Sequence, residues 1–413
     1  LLVADRSSTR TRFSMLETIR QFAEEQLLVD SEPKHARAAH ARHFAKRFAD
    51  ATAIWTDGPR QREVYDWFMV ELANARVAFR WAADDDDIDT AATIAVNAAF
   101  LGYLVEQWEP VTWAEELCAR ANAVQHPQLA QLYVAASYCA AVGRVEDFLG
   151  YANAARTAID SGHFDAVWEE LECGVAAGYN TMGRADLAVE WCRATIARHP
   201  GIPTHSQAVM VVALAVSGAT DEAIDASNDM LAVAQSAKNP SLAGALLLAY
   251  GWARRQSDPA TAYEALRHAW TIAEESSNRQ QASITAGLLS GLATTRGEFT
   301  DAIDYISQTI RYYYDSGTAE LMRVTLGILV VLLDRLGHDE PAATISGFAA
   351  GALARASFPE IDDAVAHLRE VLGDDAYAVR AQVGAAMTSA EMAIYAFEQI
   401  DLARAKLLAA EQT

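Results

Sequence analysis

Four cysteines in 413 residues, Cys118, Cys139, Cys173 and Cys192, form no C-x-x-C pair, which removes a cysteine-built zinc or redox motif from consideration. Three of them fall in predicted helices, where reduced, buried packing in a cytoplasmic protein is the expectation. No apolar run reaches the length of a membrane span and no signal peptide opens the chain, so no membrane partner is expected. Proline (10) and glycine (22) are sparse and strand-like alternation is almost absent, which points to an all-α chain. Catalytic patterns are missing too. The ten histidines scatter without a Ser/His/Asp or Cys/His arrangement, and pairs such as Glu115-Glu116, Glu169-Glu170 and Glu274-Glu275 lie in helical stretches where solvated faces are the default. No G-x-x-x-x-G-K-[ST] phosphate loop occurs. The expectation is a non-enzymatic chain with no metal and no cofactor of its own.

Positive charge is short as well. The net charge is −22; residues 1–47 hold nine Lys/Arg against six Asp/Glu, and the rest holds 24 against 49. Such a field repels phosphate backbones, so whatever the helical body holds is neutral, basic or apolar.

What is present is a repeat. Between residues 130 and 350 an apolar helical stretch, a small residue and an acidic turn recur six times. The small residue is Gly143, Gly183, Gly218, Ser257, Gly297 and Gly337; five positions later stand Phe148, Ala188, Ala223, Ala262, Ala302 and Ala342. Spacings of 40, 35, 39, 40 and 40 residues belong to helix–turn–helix repeats of the tetratricopeptide (TPR) type. A glycine there supplies the positive φ that ends helix A, and the alanine sits where helices A and B cross closely. Phe148 breaks the rule, so the first hairpin is expected to splay. In residues 169–202, Tyr179, Gly183, Ala188 and Pro200 fill the TPR aromatic, glycine, alanine and closing-proline positions, while Glu172 stands in the Trp slot. The reading is an all-α, TPR-like right-handed superhelix of helical hairpins.

Ahead of the repeats, Leu1-Leu2-Val3 and Thr11–Met15 around the turn Asp5-Arg6-Ser7-Ser8 read as a β-hairpin. Helices are expected at about Leu16–Leu28, His35–Ala53 and Arg60–Ala83, the last with Trp67, Phe68, Leu72, Val77, Phe79 and Trp81 in its apolar set. Asp84–Asp87 reads as a solvated turn and helix N-cap, since consecutive aspartates lack the alternating spacing of a calcium loop. Two further helices hinge near Trp108-Glu109-Pro110. After the loop Phe358-Pro359-Glu360, helices at Asp362–Leu372, Asp375–Val383 and Ser389–Leu408 close the array. His35, His40 and His43 share one helix without a Cys or carboxylate to complete a metal site, so packing is favoured. Tyr312-Tyr313-Tyr314 reads as inter-repeat packing.

Phe13-Ser14-Met15-Leu16-Glu17-Thr18-Ile19-Arg20-Gln21-Phe22-Ala23 resembles the segment that follows the nucleotide-binding module in bacterial STAND-type signalling ATPases, including LuxR-family transcriptional regulators similar to AfsR and MalT. Arg42-His43-Phe44 and Glu71–Ala82 are similar to later helices of that family, and Leu372–Tyr377 and Ala393–Ala396 to its closing helices. The resemblance implies that residues 1–30 end a winged-helix domain, 31–125 form divergent capping hairpins, 126–355 form six TPR-like hairpins, and 356–413 cap the array. It also implies that the chain, which opens at Leu1 without an initiator Met, is a piece of a larger regulator. ATP would bind only an upstream module, and nucleic acid only domains outside this chain; the larger polypeptide would carry a LuxR-type DNA-binding domain or, alternatively, a nucleotide cyclase. The basic zone of Lys34, Arg37, Arg42, Lys46 and Arg47, with Arg10, Arg12 and Arg20, is read as docking onto the acidic body or that upstream module.

With helix A lining the concave face, the candidate groove residues are Tyr133, Ser137, Asn180, Thr181, Arg254, Arg255, Thr294, Asp334 and Arg335. The expected partner is a protein, peptide or small effector. Arg254-Arg255 suits an acidic peptide terminus or anionic effector, though cations near a helix C-terminus also serve its dipole. Two rivals stand beside this reading. One is a structural or homo-oligomeric scaffold. The other is an enzyme pocket between helices, which needs a buried cluster of carboxylates or histidines that spacing alone does not reveal.

Overall fold

The computed structural model describes residues 2–5, 12–16, 18, 19, 21, 22, 33–200, 204–349 and 351–411. Strands β1 (Leu2–Asp5) and β2 (Arg12–Met15) pair antiparallel, with Val3 opposite Ser14 and Ala4 opposite Phe13. The helix expected at Leu16–Leu28 falls mostly outside the described residues, as do Arg10, Arg20 and the side chain of Arg12.

From Pro33 onward helices follow one another in hairpins: α1 (Pro33–Asp57) with α2 (Gln61–Asp84), and α3 (Ile88–Leu104) with α4 (Glu109–Ala123). Next come α5 (Leu129–Ser137) with α6 (Val145–Ser161), α7 (Glu169–Thr181) with α8 (Ala185–Arg198), and α9 (His205–Val216) with α10 (Thr220–Ala226) and α11 (Met230–Ser236). Then follow α12 (Pro240–Arg254) with α13 (Pro259–Ser276), α14 (Arg279–Arg296) with α15 (Phe299–Ser316), and α16 (Ala319–Arg335) with α17 (Asp339–Ala349). Short α18 (Ala352–Ser357), α19 (Glu360–Leu372), α20 (Asp374–Ala385) and α21 (Ser389–Glu411) complete the chain.

The chain turns near all six small residues. Gly143, Gly183, Gly218, Gly297 and Gly337 take φ between 69° and 83°, while the Ser257 turn runs from Arg255 to the N-cap Asp258, whose carboxylate accepts from Thr261 N. Five residues on, Phe148, Ala188, Ala223, Ala262, Ala302 and Ala342 are all fully buried. Phe148 finds room over Gly178 of the next hairpin, where an added Cβ would lie 2.5 Å from its ring, and α5 reaches Gly143 through a 3-10 turn, Tyr138–Val142. Asp87 caps α3 through Thr90 N, as the reading of the aspartate run requires. Among the apolar residues assigned to α2, Phe68 and Phe79 are fully buried but Val77 faces solvent. One break was not anticipated: Ser227–Asp229 split the expected helix B into α10 and α11, with the Ser227 hydroxyl donating to Ile224 O.

The first helix of each hairpin packs on the first helix of the next, from α1 through α3, α5, α7, α9, α12, α14 and α16 to α19. This inner layer does not stay open; the array curls until its start meets its middle. Gln61 donates to Asn239 Oδ1 (2.7 Å) and accepts from Ser241 N (2.9 Å), and Asn239 donates to Trp55 O. Gln280 donates to the Tyr103 hydroxyl, and the Glu320 side chain lies against Gly143. Gln61 is wholly buried, so both ends of its amide are matched where water cannot substitute.

Candidate functional site

Closure leaves a chamber of about 220 Å³ on the inside of the helical layer. Its walls come from successive turns of the inner helices: Phe100 and Tyr103 on α3; Glu170, Cys173, Ala177, Asn180 and Thr181 on α7; His205, Ala208 and Val212 on α9; Ala245 and Trp252 on α12; Gln281 and Ile284 on α14; and Val324 on α16. Three- and four-residue spacing aims one stripe of each helix inward. The small Ala177 on α7 leaves space, while Gly174 makes room for the Tyr138 ring.

One end of the chamber is polar. Thr204 caps α9 in a reciprocal capping box with Gln207, which fixes His205 in the first turn beside the start of α7. Glu169 accepts from Ser206 N (2.5 Å), and its other oxygen lies 3.8 Å from His205 Nδ1. Burial opposes ionisation of Glu169, but His205 and Ser206 outweigh it and hold the carboxyl below its ordinary range. Burial pushes the Glu170 carboxyl upward. Ligand atoms of Glu169, Glu170 and His205 all lie within 4.8 Å of one another, a donor set of the kind that holds a divalent cation. Trp55 faces His205 at 5.7 Å between ring centres and meets Phe100 edge-on at 4.9 Å. Four buried polar atoms of chamber-lining residues have no hydrogen-bond partner: Asn180 Oδ1, His205 Nε2, Gln281 Oε1 and Trp252 Nε1.

Of the candidate groove residues, Asn180 and Thr181 line this chamber and the other seven do not. Tyr133 packs half-buried against the core, Ser137 donates to Val134 O, and Thr294 donates to Ser290 O. Arg254 lies over the Tyr250 ring and donates to Asn228 Oδ1 and the Ser227 hydroxyl, fastening the break between α10 and α11. Arg255 is turned away to Ser357 O (2.5 Å) beside Trp252 and Phe358. Asp334 accepts from His367, and Arg335 is exposed. The Glu169-Glu170 pair, expected on a solvated face, is instead partly buried at the chamber, and His205 and Gln281 were not singled out; all lie in first turns of inner helices, whereas most of the expected groove was drawn at last turns. The capping signals Thr204-x-x-Gln207 and Asn278 mark those first turns in the sequence.

Several of the remaining sequence candidates have structural partners. His40 and His43 pack on the Phe44 ring, Arg47 lies over Trp67, and Lys34 pairs with Asp85. Tyr313 is buried, and Tyr312 lies beneath Arg279. All four cysteines are free, and burial pushes the Cys118 and Cys139 thiols up to about 12.

Beside the chamber, Glu106 sits at a positive φ of 57° and is 2% exposed, facing Ser316, Ser283 and Arg279 across the closure. Burial raises its carboxyl to about 7, from 4.5, and the hydroxyls and Arg279 offset only part of that. Between those two pH values the native state holds a proton that the unfolded state has lost, so stability falls as pH rises through the window, by about 3 kcal/mol in all. Glu106→Gln is expected to flatten that slope, leaving the variant more stable than the parent at pH 8 and little changed at pH 4.5. Urea unfolding at the two pH values measures this; parallel slopes would refute it.

No family model and no curated protein matches this chain. Among solved structures it is similar to a Rap protein complexed with competence and sporulation factor, at 12% identity and a TM-score of 0.46, covering 89% of this chain and all of that one. It is also similar to a STAND protein with a tetratricopeptide repeat sensor from Pyrococcus horikoshii, at 13% identity and a TM-score of 0.44. That match covers 79% of this chain and 52% of the other, so the chain spans about half the length of that protein. A circular tandem repeat protein matches at 15% identity and a TM-score of 0.20, covering 92% of this chain and 93% of that one.

Proposed function

We propose that this chain is a non-catalytic sensor module whose inner chamber takes a small effector. The observation that carries the reading is the chamber itself: a partly open, mainly apolar space with four shielded polar atoms left unmatched on its walls. Fifteen buried side-chain polar atoms are unmatched among the described residues, and the four here belong to residues that line a space a bound molecule can fill. An apolar cavity of ~150 Å³ accommodates benzene, so the volume here suits a molecule of roughly ten non-hydrogen atoms rather than an extended peptide. The closure contacts around residues 61, 103, 239 and 280 border this space, so occupancy biases how tightly the array curls. The resemblance of residues 13–23 supports reading the module as part of a STAND-like regulator, where the curl would act on an upstream ATPase module and the output would lie in other domains.

Calorimetry with a set of small neutral and charged fragments tests this, paired with Val212→Trp, which fills the chamber from α9. Fragment binding by the parent and none by a folded Val212→Trp variant is the expected result. Equal binding by both proteins, or no binding by the parent, would remove the chamber as the sensing site.

A further inference from the structure

We infer that the effector is a small amine, with its ammonium head against Glu170 and an aromatic or branched body against Trp55 and Phe100. This rests on the chamber being a ligand site and names what it selects. Charge complementarity carries it. Among the described residues no Lys or Arg lines the chamber, whereas Glu170 does and Glu169 stands directly behind. The nearby guanidinium of Arg255 is committed to Ser357 O. The net charge of −22 adds a long-range field that disfavours an anion.

Hydrogen bonding is shared out along the chamber. Gln281 Oε1 is an unmatched acceptor on a side chain only 6% exposed, while Asn180 Oδ1, ten residues along α7 from Glu170 and so ~15 Å away, is beyond reach of an ammonium held there. The Trp252 indole N–H is a donor and is left to a polar substituent on the ligand body. The aromatic corner of Trp55 and Phe100 supplies both apolar contact and the ring faces that attract cations.

The test is titration calorimetry of the whole chain with phenethylamine, 2-phenylethanol and 3-phenylpropionate, in EDTA so that no divalent cation occupies the Glu169–Glu170–His205 cluster. Phenethylamine is expected to bind at least about tenfold more tightly than the alcohol, as a charge-assisted hydrogen bond gives, with the acid weakest. Glu170→Gln is expected to lose about that factor for the amine alone; unchanged alcohol binding shows that the variant still folds around its chamber. Alcohol or acid binding as tight as the amine, or an amine affinity untouched by Glu170→Gln, overturns the inference while the chamber stands as a ligand site. Silence from these three probes and from the wider fragment set overturns both.

Discussion

Alanine in place of Gly347 is expected to cost about 3 kcal/mol, the upper end of what overpacking a close-packed contact costs. Gly347 on α17 faces α20, where an added Cβ would overlap the carbonyl oxygen of Ala381 and lie 2.5 Å from its carbonyl carbon. Gly384 on α20 answers it, since a Cβ there would overlap Thr344 O and come within 2.8 Å of the Thr344 carbonyl carbon. These two helices cross backbone on backbone, and a backbone cannot swing aside as a side chain can. Separating them also strains the Ser346–Tyr377 hydroxyl contact (2.9 Å) and the packing of Met392 of α21 beside Gly384. Hydrogen exchange should show α20 and α21 losing protection ahead of the inner helices in Gly347→Ala and in Gly384→Ala. Gly150 is the control: nothing lies within 4 Å of its added Cβ, so Gly150→Ala should stabilise α6 by roughly 0.5–1 kcal/mol. Equal effects at 150 and 347 would mean that the two helices do not touch as described.

The second large effect lies at Glu172. Its carboxylate is 1% exposed and is held by the Thr195 hydroxyl (2.7 Å), the Arg198 guanidinium and, at 3.9 Å, His199. Arg198→Met removes its principal counter-charge and should cost about 3 kcal/mol, the lower part of the range for an orphaned buried ion because Arg198 is itself one-third exposed. Replacing both Glu172 and Arg198 by Met should recover most of that loss, since no charge then remains to be buried. Urea midpoints of the two single variants and the double variant decide it; a double variant as weak as Arg198→Met would contradict the account.

Glu172 also marks what could be read in advance. It occupies the position where the TPR pattern has Trp, and the fold fills that space with an ion-paired carboxylate instead of a ring. Positive-φ glycines and the buried residue five places later are local, so the hairpins from Gly143 to Gly337 were visible in one dimension. Asn180 and Thr181 were reachable for the same reason, being on the inner helix of the best-formed repeat. Curvature is not local. It is set by small rotations between hairpins, and it alone brings Gln61 to Asn239 and Tyr103 to Gln280. The polar end of the chamber was hidden likewise, because Glu170 and His205 stand on different hairpins and meet only through capping of α9 by Glu169. Arg254 and Arg255 look conspicuous in an acidic chain, yet one fastens a helix break and the other closes onto Ser357.

The whole account depends on the array returning to itself, and a double-mutant cycle between Gln61 and Asn239 measures that most directly. Across 178 residues of sequence these two are hydrogen-bonded at 2.7 Å. Gln61→Ala and Asn239→Ala should therefore couple by about 1 kcal/mol in unfolding free energy. Strictly additive losses would show that the first hairpin and the middle of the array never meet, and the chamber between them would go with that contact.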